Sequence, residues 1–306
     1  MEIRRHARGV GHPYVLLTLC VAFWSGNFIV ARAVAGSMPP MALSFWRWAV
    51  ASLVLLPFAL GPMRRNWGLL RANLGRMLVL AALGVTAFNS LVYVGLQDTT
   101  AINGLLLQSS MPLMIIALAR FLYRQPVSAL EAGSVMLSLF GVMLILGRGD
   151  PGRLLQGDWT GGDLWILAAV LIWALYSLFL RWRPPGLDAL AFLGFTLSSG
   201  TLMILPLWLV ELSRGVHPAI ELSNLAAVVY VAVFPSVLSY LFWNRGVEAL
   251  GANTAGHFIH LNPVFGSLLA VALLGERFAW YHAAGGGLVA LAIGMVAMAR
   301  RRTAAG

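Results

Sequence analysis

Residues 23–32 read FWSGNFIVAR, and residues 172–181 read IWALYSLFLR. Trp24 and Arg32 in the first stretch meet Trp173 and Arg181 in the second at an offset of 149, and Pro57 meets Pro206 at the same offset. Further along, Gly95, Ala101 and Pro112 match Gly246, Ala252 and Pro263 at an offset of 151. Identity between the halves is low overall. An offset shared by Trp, Arg, Pro and Gly therefore marks an internal duplication, and a duplication fixes architecture before any local reading does.

Both copies are built for a membrane. The hydrophobic fraction is 59% and only 10% of residues are charged, where a soluble chain carries about 25%. Mean hydropathy is +0.81. A span needs about 20 mainly apolar residues. The chain offers ten such stretches, at 14–34, 40–60, 76–96, 100–122, 128–147, 161–182, 187–210, 225–246, 252–274 and 279–299. Five fall in each half. An odd number makes the second half enter the bilayer from the opposite side. The expected fold is an all-α integral membrane protein of ten transmembrane helices, arranged as two inverted five-helix repeats around a central cavity. That arrangement is typical of transporters, whose site lies near the midplane between the repeats. The expected organisation is an arm at 1–13, a first repeat at 14–147, a linker at 148–160, a second repeat at 161–299 and a tail at 300–306.

The net charge of +10 invites a nucleic-acid reading, but its placement opposes one. All 21 basic residues are Arg. With an inner N-terminus, fifteen fall in inner segments, from Arg4, Arg5 and Arg8 through Arg64 and Arg65 to Arg300, Arg301 and Arg302. Five fall outside, at Arg32, Arg148, Arg153, Arg214 and Arg277. This is the positive-inside bias, and it puts both termini in the cytoplasm. The expected location is the bacterial inner membrane, with contacts to anionic lipid. Residues 1–13 are basic and lack an A-x-A-like cleavage site, which reads as a retained signal anchor. The single cysteine, Cys20, has no partner for an intramolecular disulfide.

The loops are too short for a soluble catalytic domain, and no enzyme signature is present. Residues 61–75 carry Trp67, Leu70 and Leu74 among arginines, which suggests an amphipathic surface stretch. Gly286, Ala290 and Gly294 in the tenth span, with Gly133 and Gly141 in the fifth, form small-residue stripes expected to pack within the molecule rather than across a dimer. A monomer is therefore expected. Spans 5 and 10 read as scaffold.

Polar side chains inside spans are costly against lipid and normally face the bundle interior. Trp24 and Asn27 share a face of the first span, and Asn89 and Tyr93 share one in the third. The fourth carries Asn103 and Gln108, the sixth Trp173 and Tyr176, the eighth Tyr240 and Asn244, and the ninth His257 and His260. The path expected for a substrate is bordered by Trp24, Asn27, Asn89, Tyr93, Gln108, Trp173, Tyr176, Tyr240, Asn244, His257 and His260. Pro112 and Pro263 stand at matched positions, where loss of a backbone donor can kink a helix and help it gate. His257 and His260 lack the carboxylate or sulfur company of a metal site, so no metal or cofactor is expected. Arg47, between Trp46 and Trp48, reads as structural, snorkelling along its stem or pairing with a carboxylate or carbonyls. No fixed interior charge is evident, which suits a zwitterionic substrate better than a strong anion.

Several motifs carry a resemblance: the run Ala22–Phe28 (AFWSGNF), the stretch Ala252–Ala255 (ANTA), the pair Asn262–Pro263, and LLGE at Leu273–Glu276 before a Gly-rich span. In these the chain resembles the drug/metabolite transporter superfamily, in its ten-helix EamA branch of two five-helix repeats. The resemblance covers nearly the whole chain. The aromatic-rich interior is most similar to the YddG-type exporters, which implies efflux of aromatic and other neutral amino acids. One departure is that the first-half counterpart of Gly275–Glu276 is Arg124–Gln125, so any shared role of Glu276 is not symmetric. Efflux of drugs or organic cations is the alternative, since aromatic cages suit cations; the small relatives that do this resemble a mid-membrane carboxylate mechanism, and no acid lies deep in a span here. An integral-membrane enzyme would need a catalytic cluster that the loops do not offer.

Overall fold

The structure, a computed structural model, describes residues 12–150, 152–153, 160–250 and 258–305, without the side chains of 244, 248, 260 and 297–305. These residues are helical, with no strand among them. In chain order the helices are α1 (Pro13–Ala33), α2 (Pro40–Arg65), α3 (Trp67–Ala72), α4 (Leu74–Asp98), α5 (Ala101–Gln108) and α6 (Met111–Tyr123). They continue with α7 (Ala129–Leu146), α8 (Gly161–Trp182), α9 (Ala189–Ser213), α10 (Leu222–Val247), α11 (Asn262–Leu274) and α12 (Trp280–Ala305).

Seven of these are long and apolar enough to cross a membrane, and an eighth crossing forms if the bent pair α5–α6 is one span. The helix α11 and the apolar part of α12, Trp280–Val296, are shorter. The protein is thus a multi-pass membrane protein by the length and composition of its helices. Residues 251–257, inside the expected ninth span, lie outside the described residues.

The packing follows the sequence duplication. The helices α2 and α9 lie against each other, as do α7 and α12; α4 packs on α8 where α1 packs on α10; α6 packs on α8 where α11 packs on α1. Each of these pairs is mapped onto another, or onto itself, when the halves are exchanged. Ser52 and Thr201, which stand 149 apart, hydrogen-bond to one another at 3.3 Å between α2 and α9. Both α6 and α11 end on a left-handed residue, Arg124 (φ 53°) and Gly275 (φ 66°), and both then turn the next N–H back to the helix, Gln125 to Ala119 O and Glu276 to Ala270 O.

Close crossings depend on glycine. A Cβ on Gly95 would sit 2.8 Å from Gly162 O, and one on Gly141 would sit 2.7 Å from Gly285 O. The second crossing corrects the expected stripe. Gly285 makes the contact with α7, one position before Gly286, while Gly286 faces Leu106 and neither Gly133 nor Gly294 meets anything within 4 Å. At 61–75 the three apolar residues also separate: Leu70 is buried with Met77, Leu80 and Leu187, and Trp67 and Leu74 are exposed. The chain breaks there into α2, α3 and α4, so no single helix carries all three on one face.

The prolines act differently from the expectation. Pro112 and Pro263 stand in the first turns of α6 and α11, where a helix needs no N–H. The 42° bend between α5 and α6 falls just before Pro112, at Ser109 and Ser110, and a 3₁₀ turn, Ile259–Leu261, precedes α11. The prolines therefore restart helices after a break. Prolines inside helices include Pro57 and Pro62 in α2, Pro206 in α9 and Pro235 in α10.

Candidate functional site

A cavity of about 1450 Å³ lies between the two halves. Its walls are set by position in the duplication. Trp24 and Trp173, Asn27 and Tyr176, Asn89 and Tyr240, Pro112 and Pro263 are matched pairs, and all eight line it. Much of the lining is aromatic, with Trp24 5.5 Å from Trp243, and Trp173 4.6 Å from Phe88 and 5.0 Å from Tyr176, between ring centroids.

Two π-helical turns border the cavity, Ala82–Ala87 in α4 and Phe234–Leu238 in α10. They occupy matched positions at the offset of 151. Such turns widen the helix and leave its carbonyls looking for partners. In the second turn Pro235 O accepts from the indole N–H of Trp24 at 3.2 Å, and from the first turn Thr86 Oγ1 donates across to Gly200 O of α9 at 3.0 Å. Pro235 has no N–H of its own and accounts for the second turn.

Arg47 is the largest departure from expectation. It is 5% exposed and points inward, so the interior does hold a fixed charge. Its Nη1 donates to Asn27 Oδ1 at 2.8 Å, Asn89 Oδ1 at 2.8 Å and the Tyr93 hydroxyl at 2.7 Å, and its Nε donates to Ser236 Oγ at 2.8 Å. The Tyr93 hydroxyl donates to Asn27 Oδ1 at 2.8 Å. Four helices, α1, α2, α4 and α10, converge on this one group. The sequence hint was present in the shared faces of Asn27, Asn89 and Tyr93; missing was the knowledge that α2 lies opposite them.

Tyr93 is itself 1% exposed and stands behind Arg47, outside the cavity wall. Gln108 lines the cavity, and its Oε1 is buried without a hydrogen-bond partner. The side chains of Asn244 and His260, and all of His257, lie outside the described residues. Helices expected to be scaffold or silent also contribute: α2 through Arg47 and Trp48, α9 through Leu193, Thr196 and Leu197, and α12 through His282, Gly286 and Ala290.

At one end of the bundle the halves are joined by polar contacts between helix ends. Glu276 accepts from Ala101 N at 2.7 Å and Ile102 N at 3.0 Å, capping α5. Glu211 accepts from Met41 N at 3.1 Å and Ala42 N at 2.9 Å, capping α2. A carboxylate is favoured at a helix N-terminus, where it meets free donors and the positive end of the helix dipole. Asp98 accepts from Gly162 N, and Ser37 donates to Asn224 Oδ1. Arg32 Nη1 donates to Leu96 O and Gln97 O, both at 2.9 Å, which satisfies the end of α4.

His282 extends this set of contacts. Its Nδ1 accepts from Ala279 N at 3.0 Å, so the proton sits on Nε2, which donates to Asn103 Oδ1 at 2.9 Å. Asn103 Nδ2 and the Thr99 hydroxyl turn to Asp163, which is 1% exposed, and Thr160 Oγ1 donates to the other oxygen of Asp163 at 2.7 Å. A buried carboxylate held by several donors is well satisfied, which explains an acid inside the bundle without a cationic partner.

Comparison with known proteins agrees with this architecture. The sequence model of the EamA-like transporter family matches the chain twice, at residues 12–147 and 160–298. Similar relatives include two proteins of Bacillus subtilis (strain 168): the uncharacterized transporter YyaM, 28% identical over 85% of each chain, and the uncharacterized transporter YetK, 29% identical over 88% of this chain and 82% of its own. A crystal structure with 19% identity superposes with a TM-score of 0.57, covering 95% of this chain and 98% of its own, which speaks to the fold alone. With two matches that span nearly all of it, the chain belongs to the EamA-like transporter family.

Proposed function

We propose that the protein exports small neutral or zwitterionic metabolites, aromatic and other neutral amino acids among them, from a bacterial cell by alternating access. The observation that carries this is the aromatic cavity at the junction of the halves, lined by residues from matched positions in both. In this reading ten spans form two inverted repeats, 14–147 and 161–299, with 148–160 as an outer linker. The exchange symmetry of the helix pairs and the Ser52–Thr201 bond support that arrangement. The protein works as a monomer in the inner membrane with both termini cytoplasmic, and the end joined by Glu211, Glu276 and His282 is the outer one. A reporter fused to the C-terminus should read as internal; an external readout defeats the orientation.

Trp24, Asn27, Asn89, Gln108, Trp173, Tyr176 and Tyr240 border the substrate, and Asn244, His257 and His260 extend the path on the ninth-span side. The π-turns, and the restarts at Pro112 and Pro263, let each half bend between states. Uptake of a radiolabelled amino-acid panel into proteoliposomes, with and without a pH gradient, tests the proposal; a panel that gives no substrate overturns it. Trp173→Ala removes a stacking surface worth on the order of 1 kcal/mol or more. Affinity for Phe should fall several-fold more than affinity for Thr in competition. Equal losses mean that Trp173 supports the fold and does not read the side chain.

A further inference from the structure

Arg47 brings a positive charge to the cavity wall, and no carboxylate among the described residues balances it. Its partners, Asn27, Asn89, Tyr93 and Ser236, are all neutral. These bonds use Nη1 and Nε, and Nη2 has no hydrogen bond among the described residues. Beside it, Trp48 lies under the guanidinium, 4.6 Å from its ring centroid to Arg47 Cζ. Trp48 also lines the cavity, is 4% exposed, and its indole N–H is buried without an acceptor.

These two deficits have one sign. A buried cation without a counter-ion and a buried donor without an acceptor are both costly, and both are relieved by the same thing, an anionic acceptor. A guanidinium presents parallel N–H groups in the spacing of two carboxylate oxygens. The three neutral acceptors on Nη1 hold the group in place; they do not cancel its charge.

We infer that Arg47, assisted by Trp48, anchors a carboxylate of the substrate, and that molecules lacking one are poor substrates. This rests on the transport reading above and narrows its substrate class. Gln108 Oε1, the buried acceptor without a partner in the same cavity, is suited to take a proton donor such as an ammonium group. A molecule with a carboxylate, a nearby ammonium and an aromatic or apolar side chain then meets all three kinds of wall. The anchor is one-sided: the residue matched to Arg47 at the offset of 149 is Thr196, which lines the cavity without charge. A cavity built from matched residues would accept a ligand in either sense, and Arg47 gives it a direction.

The test uses four probes on one phenyl ring: Phe, 3-phenylpropionate, phenylalaninamide and phenethylamine. Binding to the purified full-length protein is measured by calorimetry. The wild type should bind the two carboxylates at least tenfold more tightly than the amide and the amine, and Phe most tightly. Arg47→Gln should lose at least tenfold for both carboxylates and stay within twofold for the amide, while Arg47→Lys, which keeps charge but not the fork, falls between. If Arg47→Gln does not fold, the wild-type ranking decides alone. An amide that binds as well as Phe, an equal loss for all probes, or no binding of either carboxylate overturns the inference. Carboxylate-selective binding without amino-acid transport leaves it standing and removes the exporter reading; transport of amino acids and their amides alike does the reverse.

Discussion

The Gly162→Val substitution is expected to leave little folded protein. Gly162 stands in the first turn of α8, where that helix crosses α4 at Gly95. A Cβ there would press on Gly95 O and Thr99 N, with Thr99 Cβ 3.0 Å away. The first two obstacles are backbone, so no rotamer change relieves them. The crossing must open, and Asp163 next in sequence would lose its set of donors from Thr99, Thr160 and Asn103. Overpacking alone costs about 1–3 kcal/mol, and breaking a satisfied buried network adds to it. Size-exclusion profiles and thermal melts in detergent measure this. Gly75→Ala, where nothing lies within 4 Å, serves as the control and should match the wild type. A Gly162→Val protein that melts like the wild type would show that the crossing is looser than described.

Glu276→Ala is expected to destabilise by roughly 2–4 kcal/mol, from two charge-assisted bonds and the donors left behind. Glu276→Gln should cost much less, because one carbonyl oxygen remains to accept from Ala101 N or Ile102 N. The carboxylate works as a cap between the halves, at one end of the bundle and away from any span centre. Transport per folded molecule should therefore persist in Glu276→Gln. It should also persist in Glu131→Gln, whose carboxylate closes a capping box with Ser128 at the start of α7. Melting curves and proteoliposome flux, both normalised to folded protein, read the two effects apart. Complete loss of flux in folded Glu276→Gln would instead make Glu276 part of the transport cycle.

The duplication, the membrane class and the cavity faces could be read from the chain because each depends on periodicity or composition. Trp24 with Asn27, and Trp173 with Tyr176, lie one helical turn apart, and polar groups inside apolar spans turn away from lipid wherever the helices stand. The glutamate at 276 was visible as a motif, but its use was not. Its partners are backbone N–H groups 175 and 174 residues away, and a backbone donor has no letter in the sequence.

Arg47 shows most plainly what only the tertiary structure decided. By sequence it is an arginine about two turns into a span, between two tryptophans, and the local options were to snorkel or to pair. Its direction depends on which helices face α2, and those are α9, α10 and α4. Once α4 and α1 present two amide oxygens and a phenol to that side, turning inward is better than reaching for the interface. The π-turns were hidden for a related reason: an extra residue per turn changes the helix without changing its composition. The apolar pattern thus determined that the chain crosses a membrane several times and that the polar faces of its spans turn inward. The packing of one half against the other determined where the charge in the middle went, because charge placement is a property of pairs of helices and each span read alone contains only one of them.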